Sequence, residues 1–200
     1  TNTVKAEGVG NSGNINITAG SIKATNRGQV DTNTFGEGNG GNINITATGD
    51  ITFNGENDNL ESGVISLVLP GAEGNAGNIT ISTQGNLILT NGGRIDASTS
   101  GLGNGGNINL TATGDITFDG EDLEQLGSGA TSLANPGSEG DAGNIIVSIG
   151  GNLALANRGR IDASNNSNSK GNGGNLDIIA TGDITIDGEK NDKGFRSNVA

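Results

Sequence analysis

Apolar and polar residues alternate at period two along most of this chain, in short runs broken by glycine-containing turns. Side chains alternate faces along a strand and return every third or fourth residue on a helix, so the pattern predicts strands throughout and no helix. The runs recur behind a repeated anchor phrase: GNSGNI at Gly10, GNGGNI at Gly38, GNAGNI at Gly74, GNGGNI at Gly103, GDAGNI at Gly140 and GNGGNL at Gly171. Successive anchors are 28, 36, 29, 37 and 31 residues apart, so short and long units alternate. Position-matched repetition at this period marks a solenoid.

Each unit carries three runs. The first predicts inward pairs Ile43 and Ile45, Ile79 and Ile81, Ile108 and Leu110, Ile145 and Val147, and Leu176 and Ile178. A Gly-Asp or Gly-Asn turn follows, using residues that tolerate left-handed backbone angles. The second run predicts Ile51 and Phe53, Leu87 and Leu89, Ile116 and Phe118, Leu153 and Leu155, and Ile184 and Ile186 inside. The register of the third is chosen to keep charges outside. That choice puts Val64, Ser66 and Val68 inward and aligns them with Ile95 and Ala97; Ala130, Ser132 and Ala134; Ile161 and Ala163; and Phe195, Ser197 and Val199. Asp96, Asp162 and Arg196 then face water.

Three strands per unit and one unit per turn predict an all-β, right-handed parallel β-helix of about six coils, forming a single domain over residues 1–200 with units starting near 10, 38, 74, 103, 140 and 171. Asn14, Asn42, Asn78, Asn107, Asn144 and Asn175 would occupy one corner as a structural ladder, each amide donating to one neighbour and accepting from the other. At the other corners Asp in long units alternates with Asn in short ones, holding like charges two coils, or roughly 9.6 Å, apart.

Composition narrows the chemistry. With 38 glycines, 2 prolines and 30% hydrophobic residues, the chain needs cohesion beyond a conventional core. A net charge of −12, with the 10 basic residues scattered, argues against nucleic acid as a partner. Cysteine, histidine, methionine, tryptophan and tyrosine are absent, which removes disulfides, imidazole metal sites and most aromatic sugar platforms. No apolar run is long enough for a transmembrane segment, and the first residues, TNTVKAEG, lack the features of a signal peptide. The missing initiator Met and the incomplete last unit read as a fragment of a longer array.

The phrases GNGGNINITATGDITF, GGRIDAST and SGVISLV, the last followed by the linker PGAEGNAG, resemble the haemagglutinin-type repeats of filamentous haemagglutinin-like exoproteins, the secreted partners of two-partner secretion systems. The likeness runs over essentially the whole chain and lies in repeat style. It implies a secreted or surface-displayed shaft, an outer-membrane pore partner during export, and adhesion to an unknown host-cell or surface ligand. The family's secretion signatures of the NPNL and NPNGI type have no match here, so no secretion or receptor residue is carried over.

Candidate chemistry concentrates in the acidic insertions of the long units: Glu56, Asp58 and Glu61; Glu121, Asp122 and Glu124; Glu189 and Asp192. Solvated loops are the expectation for such clusters. A polysaccharide-binding or polysaccharide-degrading β-helix, working through two carboxylates, is the alternative. Against it, these acids recur as copies, and no Trp, Tyr or His can stack on or orient a sugar, so no enzyme is expected. No cofactor is expected beyond weak calcium binding by these oxygens, and the repeats lack the calcium-binding nonapeptide pattern. Broken rows of threonine, such as Thr52, Thr117 and Thr185, fit ordinary strand propensity on an exposed face. Phe35 is the one aromatic expected near solvent. The cut ends of the stack predict end-to-end self-association.

Overall fold

The computed structural model describes residues 1–55, 61–120, 127–188 and 198–200. Their strands form three parallel six-stranded sheets. The first contains β1 (Ile15–Ala19), β4 (Ile43–Ala47), β7 (Ile79–Thr83), β10 (Ile108–Ala112), β13 (Ile145–Ile149) and β16 (Leu176–Ala180). The second contains β2 (Ile22–Ala24), β5 (Ile51–Asn54), β8 (Leu87–Thr90), β11 (Ile116–Asp119), β14 (Leu153–Ala156) and β17 (Ile184–Ile186). The third contains β3 (Gln29–Asp31), β6 (Gly63–Ile65), β9 (Arg94–Asp96), β12 (Gly129–Thr131), β15 (Arg160–Asp162) and β18 (Asn198–Val199). Each strand pairs with its equivalents one unit before and after it, so one repeat makes one coil of a parallel β-helix.

Register follows the repeat. Ile108 sits between Ile79 and Ile145, and Ile116 between Leu87 and Leu153. Alternation sends these side chains into a single aliphatic core, in which Ile43, Ile79, Leu87, Ile116, Phe118, Leu153 and Ile161 are fully buried. Phe53 is buried with them, while Phe35 is 46% exposed. Across the first two sheets the outward residues alternate with these as exposed or half-buried positions.

The third run takes the predicted inward register, with Val64, Ser66, Val68, Ala97, Ala130, Ser132 and Ala134 all buried. Two expectations fail there. Asp96 does not face water: it is 5% exposed and accepts hydrogen bonds from the Ser98 amide and hydroxyl, which together with Arg94 compensate its burial. Asp162 is half-buried. In the last unit Val199, and not Phe195, pairs with Ile161, so the longer insertion there shifts the strand by four residues from the expected alignment. Phe195, Arg196 and Ser197 lie outside the described residues.

The inward serines solve a backbone problem. Ser132 donates to the Gly106 carbonyl at 2.8 Å and accepts from the Gly143 amide at 2.8 Å. Ser66 likewise accepts from the Gly77 amide, and Thr32 donates to the Gly41 carbonyl. These polar side chains tie the third sheet to the glycine anchor, where the coil closes and buried peptide groups would otherwise lack partners. The anchor itself requires glycine: at Gly74, with φ 116°, an added Cβ would lie 2.4 Å from the Gly38 carbonyl oxygen.

Candidate functional surface

Asparagines line the corner between the third and first sheets. Asn42 N–H donates to Asn14 Oδ1 at 2.9 Å, Asn78 to Asn42 at 2.9 Å, Asn107 to Asn78 at 2.8 Å, Asn144 to Asn107 at 2.8 Å and Asn175 to Asn144 at 2.7 Å. The bond differs from the expected amide-to-amide stack: the side-chain oxygen takes a backbone N–H of the next coil. Side chain meets side chain in the added contact from Asn107 Nδ2 to Asn78 Oδ1 at 3.2 Å. A turn leaves N–H groups outside the sheet ladder, and the asparagine oxygens satisfy them.

Two further ladders escaped the sequence reading or were only outlined in it. Asn11, Asn39, Asn75, Asn104, Asp141 and Asn172 repeat the same bond three residues before the first ladder. Asp50, Asn86, Asp115, Asn152 and Asp183 repeat it between the first and second sheets. Their signal was the first Asn (or Asp) of the GNGGN phrase and the Asp or Asn of each Gly-Asp or Gly-Asn turn.

Of the eight acidic candidates, Glu56, Asp58, Glu121, Asp122, Glu124, Glu189 and Asp192 lie outside the described residues. Glu61 is described, and it is not a free loop acid. It forms an ion pair with Arg94, whose guanidinium also pairs with Asp96. The Arg94 side chain is 12% exposed and clamped by two carboxylates. Among the described residues, no group of three or more acids is placed to hold a metal ion.

This cluster belongs to a charged patch on the outer surface of the third sheet that the sequence reading missed. One column runs Gln29, Gly63, Arg94, Gly129, Arg160 and Asn198; the neighbouring column runs Asp31, Ile65, Asp96, Thr131 and Asp162. Short coils contribute Arg and Asp through the tripeptide Arg-Ile-Asp, while the long coils between them contribute glycine beside Ile65 or Thr131. The repeated Arg-Ile-Asp was the available signal, and assigning the acids to solvent obscured it.

Arg160 differs from Arg94 in its ion pairs: among the described residues it pairs with one acid, Asp162, at 4.0 Å from Nη1. Burial, and secondarily the nearby Arg94 guanidinium, push Arg160 below the ordinary arginine value, while Asp162 and Asp96 oppose that shift. The arrangement is a covered stripe of alternating cations and carboxylates in which one arginine is doubly neutralised and the other weakly. No family model, curated protein or solved structure was found to match the chain.

Proposed function

We propose that this chain is the shaft of a secreted or surface-displayed bacterial adhesin exported by two-partner secretion, with an outer-membrane pore partner during export and a host-cell or surface ligand contacted elsewhere in the parent protein. The observation that carries the proposal is the recurring core section of the stack. The same core columns and asparagine corners recur from coil to coil, joined by main-chain and side-chain bonds in the axial direction. Such an object extends by about 4.8 Å per coil without altering its core section, and its stability is a sum over neighbours. Its role is mechanical display.

Composition supports the same reading. A chain without cysteine crosses an oxidising periplasm unfolded without forming disulfides, and a net charge of −12 keeps an exposed rod from associating sideways. The core columns reach the last coil as Ile184 and Ile186, which are 50% and 45% exposed, and these strand and side-chain edges are the proposed surface for end-to-end self-association.

The test is export. Placed behind a secretion domain of such an exoprotein and expressed with its cognate pore protein, the chain should become protease-accessible on intact cells. It should remain inside when the pore protein is deleted. Retention with the pore present, or export without it, overturns the reading.

A further inference from the structure

The geometry points to Arg160 as a binding site for an external carboxylate on the outer face of the third sheet. The argument is independent of the shaft reading and rests on a comparison of two arginines within the repeat. Arg94 and Arg160 occupy equivalent positions, since each donates its backbone N–H to the serine that precedes the glycine of the neighbouring long coil, Ser62 or Ser128. The residue before that serine is Glu61 in one case and Gly127 in the other. Glu61 and Asp96 both pair with the guanidinium of Arg94. At Arg160 the Glu61 position carries no side chain, and the remaining acid stands 4.0 Å away.

A guanidinium presents a planar fork suited to carboxylate oxygens, and one that is largely desolvated gains more from such a partner than one in water. Arg160 retains 25% side-chain exposure, so it can be reached from solvent. Gly129 lies between Arg94 and Arg160 in the column, and its backbone packs so close that an added Cβ would lie 2.0 Å from the Arg160 carbonyl oxygen. Within this column of the described residues, no side chain therefore stands between the two arginines. The Glu61–Arg94 pair in the earlier repeat thus displays the contact that an external ligand would supply at Arg160.

The ligand is a small molecule with an isolated carboxylate. A chain of net charge −12 repels polyanions over long range, and one arginine neutralises one acid. Uronic acids and N-acylated amino acids share this chemistry, and the experiment separates them.

The whole chain is titrated with sodium glucuronate or N-acetylglycine while the side-chain Nε–H resonances of its arginines are followed by NMR, with sodium chloride at matched ionic strength as the control. A saturable shift at Arg160, absent with chloride, is expected in the millimolar range. A tighter response to glucuronate assigns a sugar acid, and a tighter response to N-acetylglycine assigns a peptide-like acid; both support the site. Arg160→Gln should lower affinity by about tenfold or more, the factor corresponding to the loss of one charge-assisted hydrogen bond. Asp162→Asn should tighten binding by removing the competing acid, and it keeps the test decisive if Arg160→Gln fails to fold. Overturning results are the absence of a saturable Arg160 shift, as when the chain's own acids already engage it, or equal binding by the Gln variant.

Discussion

Replacing Ser132 by alanine tests whether the coils are closed by buried polar side chains as well as by their aliphatic columns. Ser132 is completely buried, donates to the Gly106 carbonyl and accepts from the Gly143 amide, both at 2.8 Å. Alanine removes one oxygen and strands a buried donor and a buried acceptor in adjacent coils. Each unsatisfied group costs about 1–3 kcal/mol, so the variant should lose about 2–6 kcal/mol. Ser148→Ala, at a half-buried outward position of β13, should stay within about 0.5 kcal/mol of the parent chain. Urea unfolding gives the ranking. Because repeat arrays depart from two-state behaviour, amide exchange supplies the location, with protection expected to fall first at Gly143 and its neighbours in coils four and five. If Ser132→Ala costs no more than Ser148→Ala, or if protection falls uniformly, the corner is not held in this way.

Three further outcomes test other levels of the fold. Ile116→Asp replaces a fully buried side chain between Leu87 and Leu153; losing about 1.5–3 kcal/mol of apolar burial and adding a buried carboxylate should exceed about 4 kcal/mol, with exchange loosened first in β8, β11 and β14. The melting temperature should be the same in millimolar calcium and in chelator, since the cohesion assigned here comes from stacked strands and asparagine oxygens; a rise with calcium would place a structural ion in the acidic insertions. Sedimentation should show concentration-dependent end-to-end association that weakens in Ile184→Lys, and strictly monomeric behaviour at high concentration contradicts the proposed edge contact.

The core was legible because a solenoid repeats its evidence. Ile43, Ile79, Ile108 and Ile145 each vote for the same inward column, and a wrong register would bury several polar residues at once. The third sheet was legible only on its inner side. Assigning Asp96 to water followed from its outward position, which the structure bears out, but outward is not exposed where a charged group has local partners: Arg94 and Ser98 make its burial tolerable. Pairing Arg94 with Glu61 depended on a contact across 33 residues that alternation does not encode. The last unit misled for a different reason. Its insertion carries no internal apolar rhythm to mark where β18 resumes, so Phe195 was an equally apolar but incorrect choice to Val199.

The alternation of short and long units has an electrostatic consequence at the corner between the first and second sheets. Asp50, Asn86, Asp115, Asn152 and Asp183 accept the same backbone bond, so either residue type satisfies the geometry. What differs is charge. Asn152 separates Asp115 from Asp183, and its amide also donates to Asp115 at 3.2 Å. Asn152→Asp keeps the backbone bond to Asp183 but places three carboxylates in consecutive coils about 4.8 Å apart. In the high dielectric appropriate to this exposed corner, each new neighbour costs about 1 kcal/mol, roughly 2 kcal/mol in all at low salt. Repulsion of this kind is screened by salt and disappears when the carboxylates lose their charge in acid. The variant should therefore match the parent chain in acid, fall below it at neutral pH and recover part of the loss at high salt. A deficit that persists unchanged in acid and in salt would mean that asparagine is required at this position for its amide geometry, and not for keeping like charges two coils apart.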